Sequence, residues 1–92
     1  MHMVQELSPT ATPLGIAIRQ RRLRQGWSVT QLAGALRAAA RQIGCRAPSV
    51  SDLALCVERW ERCVRTPTAV QLMLLSVAMD LPEWSPQLDP RR

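Results

Sequence analysis

The chain has 92 residues, twelve Lys+Arg against seven Asp+Glu, and a formal net charge of +5. That length supports one small domain with a single core and leaves no room for a second. No stretch is apolar enough to cross a bilayer, and Met1 to Pro13 lacks the basic start and apolar run of a signal peptide, so a cytoplasmic protein is expected.

Residues 1–12 contain Ser, Thr and Pro without hydrophobic periodicity and read as a flexible arm. A first helix is predicted from about Pro13 to Gln25, with Leu14, Ile18 and Leu23 inward and Arg19, Arg21, Arg22 and Arg24 outside. Gly26 suits the left-handed residue that closes a helix, and Ser28 with Gln31 has the spacing of a capping box that opens the next. Trp27, Leu32 and Ala33 supply apolar contacts for the corner between them. The alanine-rich run carries a second helix to Ile43, with Leu32, Leu36, Ala39 and Ile43 on one face and Gly44 as its stop.

After the loop Cys45 to Ser49, Ser49 with Asp52 predicts an N-cap for a third helix over residues 50 to about 61. Leu53, Val57 and Trp60, at i, i+4 and i+7, face inward. Ser51, Asp52, Leu55, Glu58, Arg59 and Arg62 then point outward, with Ala54 at the boundary. A fourth helix starts at Thr66-Pro67 or at Thr68 with Gln71, and its run Val70 to Met79 is apolar nearly all round. The expected fold is all-α, a compact bundle of four to five helices.

All twelve basic residues are arginine, ten of them between residues 11 and 65, where Asp52, Glu58 and Glu61 are the acids. A basic body suggests a polyanionic partner. Cys45, Cys56 and Cys63 are odd in number and the one histidine is His2, so no zinc pattern exists and neither a metal nor a cofactor is implied. Without Tyr, and with no nucleophile beside a usable base, the chain offers little for catalysis, and an enzyme is not expected.

Gly26-Trp27-Ser28, Leu32-Ala33, then Val57, Trp60-Glu61-Arg62 and Pro67, resemble the lambda-repressor-like (Xre, Cro-like) helix-turn-helix family, and the likeness runs over residues 14 to 81. Leu14-Gly15 and Ile18-Arg19 look like its first helix; Leu75, Ala78 and Leu81 look like its fourth. The long segment Gly34 to Ser49, with Pro-Ser-Val before helix three, resembles actinobacterial variants. Two departures stand out: Cys63 and Asp80 occupy positions where the family usually has glycine.

The resemblance implies a helix-turn-helix domain over 13–84, followed by a tail at 85–92. It places Ala54, Leu55 and Arg59 at the principal base-reading positions and pairs Arg22 with Glu61 across helices one and three. It turns Leu72, Leu75 and Met79 inward. A DNA-binding transcriptional regulator is therefore expected, reading double-stranded DNA through the major groove with helix three, where Ser51 and Glu58 also lie. Ser28 and Thr30 at the start of helix two, with Arg46, Arg62 and Arg65, are the backbone-contact candidates. The apolar remainder of helix four, Met73, Leu74 and Val77, together with Leu81 and Trp84, is expected to form a homodimer interface. The rival reading is an interaction module, antitoxin-like or regulator-binding, that keeps the fold and uses apolar helix four to bind another protein.

Overall fold

The computed structural model describes residues 13–81. The arm 1–12, the tail 85–92 and Trp84 lie outside the described residues. Four helices follow one another: α1, Leu14–Arg24; α2, Val29–Gln42; α3, Val50–Glu61; and α4, Ala69–Ala78. No strand occurs among the described residues, and the arrangement is a compact all-α bundle.

Local chemistry explains where α2, α3 and α4 begin and where all four helices end. At the start of α2 the Ser28 hydroxyl accepts from Gln31 N at 3.0 Å while Gln31 Oε1 accepts from Ser28 N at 2.8 Å. Thr68 and Gln71 make the same reciprocal pair at the start of α4, and Ser49 Oγ accepts from Asp52 N at 3.2 Å before α3. Each exchange satisfies N–H groups that have no partner within the helix, an arrangement worth about 1 kcal/mol per cap. Of the two openings considered for the fourth helix, Thr68 is the one used.

All four helices stop in the same way. A residue with positive φ follows each C-cap: Gly26 (74°), Gly44 (77°), Cys63 (62°) and Asp80 (55°). The next amide reaches back five residues, from Trp27 to Arg22 O, Cys45 to Ala40 O, Val64 to Arg59 O and Leu81 to Ser76 O. This double-bonded termination is the Schellman motif, which normally takes glycine because a Cβ is crowded there. Cys63 and Asp80 adopt the same conformation at a steric cost.

The core gathers Ile18 from α1, Leu32, Ala33, Leu36, Ala39 and Ala40 from α2, Leu53, Val57 and Trp60 from α3, and Leu74, Leu75 and Met79 around α4. α2 lies at the centre, packed on α3 and α4, while α1 packs on α3. Alanines along α2 let its neighbours approach closely. At the α1–α3 contact the same end is reached by Gly15: a Cβ there would lie 2.0 Å from Trp60 O and 2.9 Å from Cys63 Sγ. Only glycine fits.

Five inward or outward assignments change. Leu23 is 55% exposed, because α1 is covered on one side only, by α3, and Leu23 lies on its other side. Ile43 is the C-cap of α2 and is exposed, since the chain turns away there. Arg22, grouped with the outer arginines of α1, is buried. Leu74, expected at a dimer surface, is only 5% exposed: α4 lies against α2 on a face broad enough to cover both Leu74 and Leu75. Leu72 is half-buried, and Leu81 is half-buried against the core rather than open.

Candidate nucleic-acid interface

Three sides of α3 meet three different surroundings. Leu53, Val57 and Trp60 anchor the helix in the core. On the side toward α1, Arg22 Nε donates to Glu61 Oε2 at 2.7 Å and Arg22 Nη2 donates to Glu61 Oε1 at 2.9 Å, a bidentate fork. A third donor, Arg22 Nη1, reaches Trp27 O at 2.9 Å. One guanidinium thus ties α1, the corner before α2 and the last turn of α3. The two side chains are 11% and 9% exposed, so breaking the pair would strand a charge in a poorly solvated place.

Hydrogen bonding to Glu61 raises the Arg22 pKa above its ordinary value, burial opposes the rise, and the Glu61 charge adds to it. A raised pKa means that stability is fully present below the ordinary arginine range and is lost only above it. Arg22 therefore brings no pH dependence at physiological pH.

Beside this fork lies a cavity of about 250 Å³ lined by Arg19, Arg22, Glu58, Glu61 and Arg62. Glu58 thus sits on the shoulder of α3 nearest α1, with arginines around it. Arg19 belongs to this group although its sequence position reads only as a solvated face; its role depends on how α1 is set against α3, which periodicity does not encode.

The outward side carries Ser51, Asp52, Leu55, Glu58, Arg59 and Arg62, all exposed, with Leu55 49% open to solvent. Ala54 is different: it is half-buried at the edge of this face and packed against the core. Arg59 lines a second cavity, of about 210 Å³, together with Arg65, Thr66, Thr68 and Gln71. Arg59 and Arg65 therefore line one cavity where α4 begins, on either side of the left-handed turn at Cys63. Among the described residues Arg22–Glu61 is the one ion pair, so Arg46, Arg59, Arg62 and Arg65 keep their charges uncompensated.

Ser28 and Thr30 are exposed at the first turn of α2, although the Ser28 hydroxyl is already engaged by Gln31. Arg46 is exposed in the α2–α3 loop. On α4, Val70 and Val77 are 50% and 37% exposed and Met73 is half-buried. The cysteines are free thiols, Cys45 and Cys56 half-buried and Cys63 exposed.

No helix among the described residues is long and apolar enough to cross a membrane. Compared with known protein families, curated proteins and solved structures, the chain matches none of them.

Proposed function

We propose that α2 and α3 form a helix-turn-helix of the lambda-repressor-like kind, and that the protein is a sequence-specific regulator of transcription that binds double-stranded DNA. The observation that carries this reading is the outward face of α3, where Leu55, Arg59 and Arg62 stand exposed on a helix anchored from behind. A rigid helix with uncompensated guanidiniums suits the major groove, where base edges carry the sequence information and phosphates supply affinity. Arg59 is the guanine-reading candidate; Arg46, Arg62 and Arg65, with the start of α2, are candidates for the phosphates. The reading needs no cofactor.

Binding of the purified protein to genomic fragments at two salt concentrations tests this. The expected outcome is enrichment of a shared, roughly two-fold motif that persists at higher salt, because attraction to phosphate alone fades steeply as salt rises. Loss of all binding without enrichment would overturn it.

The two-fold motif presumes a homodimer. With Leu74 buried, the candidate face is the exposed Val70 and Val77 with the half-buried Met73 between them. That helix contains no charged residue, so two copies meeting there bring no like-charged side chains of α4 into direct contact. The same exposed valines favour the second reading, an interaction module that binds another protein. Sedimentation separates the two: a dimer that a Val70→Glu/Val77→Glu variant converts to a folded monomer supports self-association, and a monomeric wild type removes it.

A further inference from the structure

Resting on the DNA-binding reading above, we propose that Leu55 is a specificity determinant that recognises the C5-methyl group of a pyrimidine, in register with a guanine taken by Arg59. The shared chemistry is a methylated pyrimidine edge, supplied by thymine or by 5-methylcytosine.

The argument begins with what the outward face of α3 lacks. Ala54 is half-buried at the edge of that face, and Glu58, which is exposed, lines the cavity with Arg19, Arg22 and Arg62. Leu55 is left as the apolar side chain projecting from the middle of that face, with Ser51 one turn before it and Arg59 one turn after. A leucine can neither donate nor accept a hydrogen bond. Placed against the amino group of cytosine or adenine, or against the oxygen of guanine, it would take a polar group out of water without a partner. The methyl of thymine is the one apolar feature that an unmodified base pair shows in the major groove.

Spacing adds the second half. Leu55 and Arg59 are four residues apart on one helix, about 6 Å along its axis, a distance that covers one to two base-pair steps at about 3.4 Å each. Arginine pairs in bidentate fashion with guanine O6 and N7. The predicted element of a half-site is therefore a methylated pyrimidine within two steps of a guanine.

The test uses the full chain and a duplex enriched in the salt experiment. Each thymine is replaced singly by uracil, which removes only the methyl, and affinities are compared for wild type and Leu55→Ala. At one position per half-site the wild type should lose about fourfold, the value of one buried methyl-sized group, and Leu55→Ala should lose nothing further. Leu55 is exposed, so the variant should keep its melting temperature, which is checked alongside. At that same position a duplex carrying 5-methylcytosine should bind more tightly than one carrying cytosine, which identifies the methyl itself as the feature read. Uracil tolerated at every thymine, or equal losses in wild type and Leu55→Ala, would overturn the proposal while leaving DNA binding standing. Failure to enrich any duplex would overturn the DNA-binding reading and this inference with it.

Discussion

The two flanks of α3 carry similar residues to opposite ends. Toward α1, Glu61 is held by the Arg22 fork and the helix backbone comes so close that Gly15 admits no side chain. Away from the core, Arg59 and Arg62 have no carboxylate partner among the described residues, and Leu55 is 49% exposed. Charge on the first flank is committed to structure, and charge on the second is free for a ligand. An arginine count alone would have treated the two alike.

Substitutions on each flank should therefore fail in different assays. The largest effect is expected from Gly15→Ala, which drives a methyl into the Trp60 carbonyl, an immovable backbone atom. It should cost about 3 kcal/mol, read by chemical denaturation; a native-like midpoint would mean that α1 can slide on α3. Arg22→Met should cost about 2–4 kcal/mol because Glu61 is left buried and unpaired. Joint replacement of Arg22 and Glu61 by Met should recover most of that loss. If the double variant is no better than the single one, the Arg22 bond to Trp27 O rather than the ion pair holds the corner.

On the free flank, Arg59→Ala should leave the melting temperature in place and weaken specific DNA binding by about 10- to 100-fold, the value of one bidentate guanine contact. Equal weakening on every sequence would instead mark Arg59 as a phosphate contact. The smallest effect is a gain. Cys63→Gly relieves a left-handed residue worth about 1–2 kcal/mol, offset by about 0.4–1 kcal/mol of extra freedom in the unfolded chain. A net stabilisation of about 0.5 kcal/mol should appear in denaturation curves, and Asp80→Gly should gain less, since Asp tolerates this conformation better.

Much of the helical frame was legible because its signals are local. Ser28 with Gln31, Ser49 before Asp52, and Thr68 with Gln71 lie within one turn of the groups they cap, and the i, i+4, i+7 spacing of Leu53, Val57 and Trp60 needs only a helix to be read. The same holds for the positions of Cys63 and Asp80, singled out as non-glycine residues where glycine is usual, and found at φ 62° and 55°. Arg22 and Glu61, thirty-nine residues apart, were paired through a resemblance rather than through any local signal.

What the sequence alone could not place depends on which neighbour covers which side. Leu23 has the right period for the core but no helix lies over it; Leu74 has the wrong period for a narrow stripe yet is covered by α2. Ala54 and Leu55 are adjacent apolar residues that the resemblance places together at base-reading positions, whereas helical geometry puts Ala54 at the boundary and Leu55 outward, and the structure has them half-buried and 49% exposed. Amino-acid order determined where helices begin and end, since backbone donors and acceptors at their termini find partners within a few residues. Tertiary structure decided which side chains are buried, paired or free, because burial is a property of two surfaces and the sequence describes them one at a time.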